Sequence, residues 1–185
     1  MRVDGPFRIP LAGLLAAGPG TDRHERFEGA RPRLADDLRL VEPATIEVRI
    51  ARTNRGVLVT GRVTTAVGGS CARCLVDLAS PIDATFAEEV LPAIDLATGQ
   101  ALDRTAEPEM ARLDDHHELD LEALVADAIS LAEPIAPLCR PDCPGLCLEC
   151  GARLAGGHVG HAVDPIDPRL AALAGFVVDG DGLTG

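Results

Sequence analysis

Six cysteines are the residues of this chain best equipped for chemistry, and four of them fall within the stretch LCRPDCPGLCLECG, as Cys139, Cys143, Cys147 and Cys150. The other two stand far upstream in SCARCL, as Cys71 and Cys74. A CxxC pair on a tight turn points two sulfurs at one ion, and two such pairs supply the four thiolates of a closed structural zinc site. Cys147-Leu-Glu-Cys150-Gly151 has the form of a zinc knuckle, its glycine relieving the backbone after the second sulfur. Cys71-Ala-Arg-Cys74 is its natural partner. The 72 residues between the two pairs mean that such a site would tie two distant parts of the chain together. Cys139 and Cys143 keep another arrangement open, because C-x3-C-x3-C-x2-C could saturate a zinc locally. Pro144 removes an amide that a knuckle aims at sulfur, which ranks this pair behind the other two. Six thiols exceed one tetrahedron, and spacing leaves open which four bind.

Two other uses of thiols compete with zinc. CxxC supports redox chemistry mainly where it opens a helix of a thioredoxin-like βαβ unit, and neither pair is so placed. Disulfides need an oxidising compartment. The amino terminus, MRVDGPFRIPLAGLLAAGPG, is a poor signal peptide because Asp4, Pro6 and Arg8 break up what precedes its apolar run. No run approaches the roughly 18 apolar residues of a membrane span. The expectation is a cytoplasmic protein with reduced thiols. His158 and His161, in GGHVGH, could add ligands, although histidines flanked by glycine are more often solvated. His116 and His117 read as a solvated acidic loop.

The remaining inventory excludes more than it suggests. All 17 basic residues are Arg, which removes lysine Schiff bases and a phosphate-loop lysine. Ser70, Ser80 and Ser130 lack a catalytic motif, and the glycines form no phosphate cradle. A zinc saturated by thiolates has no position for water. These features favour a binding or scaffold role over an enzyme. A net charge of −12 repels a polyanion and suits a basic protein partner. Arg49, Arg52, Arg55 and Arg62 could form a secondary RNA-contacting patch on one hairpin.

The elements that must position the cysteines are legible in part. Ile46, Val48 and Ile50 alternate with polar residues, as do Val57, Val59, Val63 and Val67, and Thr53-Asn54-Arg55-Gly56 between them is a turn of hairpin length. A third strand is expected over 81–90, so that CARC falls on a strand connection. Residues 10–18 predict a short helix, and TDRHERFEGARPR after it reads as irregular. Asp120 caps a helix in which Leu121, Leu124, Val125, Ala128 and Ile129 recur, until Pro134 and Pro137 stop it just before Cys139. Asp167, Pro168 and Gly175 bound a final short helix. The fold class is α+β: an antiparallel β meander with a few helices and a carboxy-terminal cysteine-rich zinc-knuckle segment. The expected parts are a β-rich region 1–92, an acidic linker or loop 93–118, a helix with the zinc segment over 119–176 and a tail 177–185, together one folded unit. With only 2% aromatic residues the core must be aliphatic, and a metal clip would help it.

CARCL at 71–75, DLEALVADAISLAEPIAPLC, C-x3-C-x-GLC-x2-CG at 139–151 and IDPRLAAL at 166–173 together resemble the YceD family, the large ribosomal RNA subunit accumulation proteins. The resemblance covers most of the chain. It implies a non-catalytic factor supporting large-subunit ribosomal RNA, associated with the precursor of the large ribosomal subunit. Carried onto this chain, it points to Cys71, Cys74, Cys139, Cys143, Cys147 and Cys150 as functional positions. Relatives often carry a Cys or His cluster before the last helix, which here falls to His158 and His161. The reading from a different class is a thiol-based redox or metal-handling protein.

Overall fold

Strict alternation of apolar and polar residues makes one face of a strand bury itself, and this chain builds its sheet on that rule. The structure, a computed structural model, describes residues 7–35, 38–95, 97–103, 105, 107–158, 161 and 169–170. In strand β4, Ala44–Arg52, Ala44, Ile46, Val48 and Ile50 are buried; in β5, Val57–Ser70, so are Val57, Val59, Val63 and Val67. β6, Asp77–Leu91, adds Ile82, Ala84 and Val90. The three run as an antiparallel meander, with Arg52 facing Val57 across the first turn and Ser70 facing Asp77 across the second. The Thr53 hydroxyl accepts the Gly56 amide at 3.0 Å and so closes the first turn.

Among the described residues the sheet has six strands. β2, Asp22–Ala30, pairs with β4, the two-residue β3, Arg39–Leu40, pairs with the far end of β5, and β7, Ala111–Arg112, lies parallel to β6. β2 replaces the irregular segment expected over TDRHERFEGARPR. It is an edge strand with no residue fully buried, so the alternation that marks β4 is missing from it. Cross-strand charge supports it instead, Arg26 pairing with Glu47 and Asp22 with Arg49. Residues 93–118, read from sequence as an acidic linker or loop, hold β7, an isolated bridge from Ile94 to Ala101 and the buried Leu113, whose amide donates to the Leu91 carbonyl at 2.9 Å.

A second ribbon pairs β1, Arg8–Pro10, with β8, Glu118–Asp120. Helix α1, Ala12–Ala16, matches the short helix expected near the amino terminus. Helix α2, Leu121–Ala132, starts where the Asp120 carboxylate accepts the Glu122 amide at 3.0 Å and packs chiefly on β6. Its buried side, Leu121, Val125, Ala128 and Ile129, joins the strand valines and isoleucines in one core with Phe7, Leu11 and Leu113. Full burial of such a side chain stabilises by roughly 1.5–3 kcal/mol. The cysteines lie outside that core, in a separate cluster of Cys71, Cys74 and Cys143 with Val76, Leu78 and Leu146 packed against it. Of the final helix expected after Asp167 only residues 169–170 are described, and the tail from residue 177 falls outside the described residues.

Candidate metal centre

The long β5–β6 ribbon carries the first cysteine pair at its tip, in the connection between Ser70 and Asp77. The Cys71 amide donates to the Val76 carbonyl at 2.9 Å, and the Leu75 amide donates back to the Cys71 carbonyl at 3.0 Å. To close this turn Leu75 takes φ 56°, a left-handed conformation uncommon outside glycine. The amides of Arg73 and Cys74 then point inward at the Cys71 sulfur. Helix α2 and the prolines after it bring the other partners: the Pro137 carbonyl accepts the Ala72 amide at 2.8 Å, which lands Cys139 beside the knuckle.

The result is a group of four thiols, Cys71, Cys74, Cys139 and Cys143, with their sulfurs within 4.8 Å of one another. Cys71 Sγ stands 3.8 Å from Cys143 Sγ, and Cys74 Sγ 3.7 Å from Cys139 Sγ. A tetrahedron with Zn–S of about 2.3 Å has sulfur–sulfur edges of about 3.8 Å. The donor set therefore fits a four-thiolate metal ion. A disulfide would need about 2.05 Å, and all six cysteines are free.

The electrostatics of the four sulfurs are split. Cys71 is lowered to about 6, first by the backbone amide of Cys139 and then by that of Cys74. Cys139 is raised to about 12 by desolvation and by the neighbouring thiols, and Cys143 is raised chiefly by desolvation. Like charges this close cannot all ionise unaided. A divalent cation is what would let four thiolates coexist, and binding it would release their protons. Two guanidinium groups already brace the site. Arg73 donates to the Cys143 carbonyl at 3.1 Å, and Arg153 donates to the carbonyls of Cys74 and Leu75 at 3.0 and 3.1 Å.

The grouping differs from the pairing of the two CxxC units expected from spacing. Cys71 and Cys74 meet Cys139 and Cys143, whereas Cys147 and Cys150 lie with His158 and His161 in a second group whose ligand atoms are again within 4.8 Å of one another. The objection that Pro144 offers Cys143 no amide is answered one residue later, where the Gly145 amide donates to the Cys143 sulfur. The bracing arginines escaped the sequence reading, since nothing in their spacing marks them. His116 and His117 join neither group. The Nδ1 of His117 is buried without a hydrogen-bond partner.

The arginines of the β4–β5 hairpin are not free cations. Arg49 is paired with Asp22, Arg55 with Glu107 and Arg62 with Asp83, while Arg52 donates to the carbonyls of Leu15 and Gly56. A depression of about 830 Å³ lies on the sheet among His24, Arg26, Glu47, Arg49 and Phe86, apart from the cysteines. No helix among the described residues is long and apolar enough to cross a membrane.

A family model described as large ribosomal RNA subunit accumulation protein YceD matches residues 59–177. Uncharacterized proteins of Mycobacterium bovis and Mycobacterium tuberculosis are each 41% identical over 128 residues, covering 69% of this chain and 59% of theirs. An uncharacterized protein of Mycobacterium leprae is 33% identical over 153 residues, covering 76% of this chain and 64% of its own. The chain thus spans less than two thirds of the length of these curated relatives. No solved structure matches it.

Proposed function

The chain belongs to the YceD family, and from that premise we propose that it is a non-catalytic ribosome-biogenesis factor in the cytoplasm. It supports accumulation of large-subunit ribosomal RNA by binding a basic protein of the large-subunit precursor. Its zinc is structural. The observation that carries this reading is the four-thiolate group at the ribbon tip. Four sulfurs fill a tetrahedron and leave no position for a substrate or water, so the metal would hold shape rather than catalyse.

The surface supports a protein partner. The chain carries −12, and its hairpin arginines are already paired with carboxylates or carbonyls, which leaves little for phosphate to grip. Leu75, Leu138 and Leu148, each next to a cysteine in sequence, are exposed apolar side chains. An acidic surface carrying such residues suits a basic protein with an apolar anchor. The alternative, a redox thiol, finds little support in the burial of Cys71, which closes its sulfur to attack.

Sedimentation of lysates from a deletion strain tests the role, and capture of the tagged protein with its bound RNA and protein tests the mechanism. Loss of large subunits relative to small, with salt-sensitive recovery of a basic ribosomal protein, is the expected outcome. An unchanged subunit ratio defeats the role. Tight binding of the pure chain to bare ribosomal RNA keeps the role and overturns the protein-partner mechanism.

A further inference from the structure

The turn around Cys147 repeats the turn around Cys71 hydrogen bond for hydrogen bond. The Cys147 amide donates to the Ala152 carbonyl at 2.8 Å, as the Cys71 amide does to Val76. The Gly151 amide donates to the Cys147 carbonyl at 2.9 Å, as Leu75 does to Cys71. Gly151 has φ 71° where Leu75 has 56°. Each CxxC thus sits on the same knuckle, built by a bridge of the first cysteine to the residue five places on and a left-handed residue four places on. The first knuckle meets two cysteines. The second meets two histidines.

We propose that Cys147, Cys150, His158 and His161 form a second zinc site, separate from the four-thiolate centre and more readily emptied. Their donor atoms lie within 4.8 Å of one another, and Cys150 Sγ stands 3.4 Å from His158 Nε2. With Zn–S near 2.3 Å and Zn–N near 2.05 Å, a tetrahedron has a sulfur–nitrogen edge of about 3.5 Å. Ligating histidines usually give their second ring nitrogen to a carboxylate, and Glu149 Oε2 stands 3.3 Å from His161 Nδ1. Two thiolates and two neutral imidazoles select zinc in tetrahedral geometry over harder ions. The complex is neutral, whereas four thiolates on zinc carry two negative charges. Cys150 and His161 are exposed, while three of the four cysteines at the first centre are buried. Chelators therefore reach the second ion first.

The two sites touch. Arg153, between the cysteines and histidines of the second site, clamps the carbonyls of Cys74 and Leu75, and the Leu154 amide donates to the Gly145 carbonyl at 3.1 Å. Filling the second site holds this segment and so braces the first knuckle.

Native mass spectrometry of the chain prepared with zinc, and cobalt loading read by visible spectroscopy, test the inference. Two zinc ions per chain are expected, the first lost to chelator well before the second. The His158→Ala/His161→Ala variant should hold one ion, with the cobalt spectrum reduced to its four-thiolate component. Cys139→Ser should hold one ion with a two-thiolate spectrum. One zinc in the wild-type chain, unaffected by His158→Ala/His161→Ala and lost in Cys139→Ser, overturns the second site while leaving the first. A histidine variant that retains two ions overturns it as well, and zinc-free wild type overturns both sites.

Discussion

Removing Cys139 should cost the protein a cross-link without costing it its fold. In Cys139→Ser one corner of the four-sulfur group disappears, Cys74 loses its neighbour at 3.7 Å, and the tie between the ribbon tip and the segment after α2 is opened. Cys74 and Cys139 are 65 positions apart. The chain-entropy relation for cross-links gives about 4 kcal/mol at 25 °C for a loop of that size, and metal clips across long loops follow the same reasoning. At roughly 2–4 °C per kcal/mol for a chain of this length, the midpoint should fall by about 8–16 °C. The β sheet should survive, because the main core of strand residues and α2 contains none of the cysteines. The assay is calorimetry with far-ultraviolet circular dichroism, run on wild type, Cys139→Ser, Cys71→Ser and the double variant, each with its zinc content measured. The two single variants open the same cross-link, so the double variant should be little worse than either. The reasoning is refuted if Cys139→Ser keeps the wild-type midpoint after losing its zinc, or if it loses its sheet signal at 25 °C.

Three further outcomes follow from single positions. Leu75→Gly relieves a left-handed residue and should stabilise the chain by up to about 1 kcal/mol, while Gly151→Leu should cost about 1–2 kcal/mol, both read by denaturant titration. Gly61→Ala should cost roughly 1–3 kcal/mol, because its new methyl group meets the Phe86 ring and lies 2.9 Å from the Glu47 carbonyl oxygen. Cys71 has a folded value of about 6, below the roughly 8.5 of a free thiol, so its stabilisation is complete above the higher value and lost as pH falls through the lower. Zinc retention, measured by dialysis from about pH 8 to about pH 5, should fall as the pH falls, because the ion leaves as its thiolates are reprotonated.

What the sequence revealed depended on whether a local pattern had a local cause. β4, β5 and β6 were legible because each buries one face, and α2 because Asp120 caps it and its apolar residues recur at helical spacing. β2 was not, since an edge strand of Arg and Glu with Phe27 half-buried shows no buried face to read. The cysteines themselves were equally plain, and CARC was correctly placed on a strand connection. Their grouping was not, because CxxC describes a knuckle and says nothing of what closes it. That choice is made by Pro137, whose carbonyl holds Ala72, and by the Gly145 amide, neither of which has a signature in spacing.

Placing half of the four-thiol group at a ribbon tip and the other half after α2 also sets an order of events during synthesis. Cys71 and Cys74 leave the ribosome first, and Cys139 follows 65 residues later. At 5–20 residues per second that interval lasts about 3–13 s. Throughout it the first knuckle exists as two thiols without their partners, able to hold an ion only loosely. Any metal loading of the four-thiol group therefore waits for Cys139 and Cys143, and a ribosome that stalls before Cys143 displays the β5–β6 ribbon with its first knuckle still open.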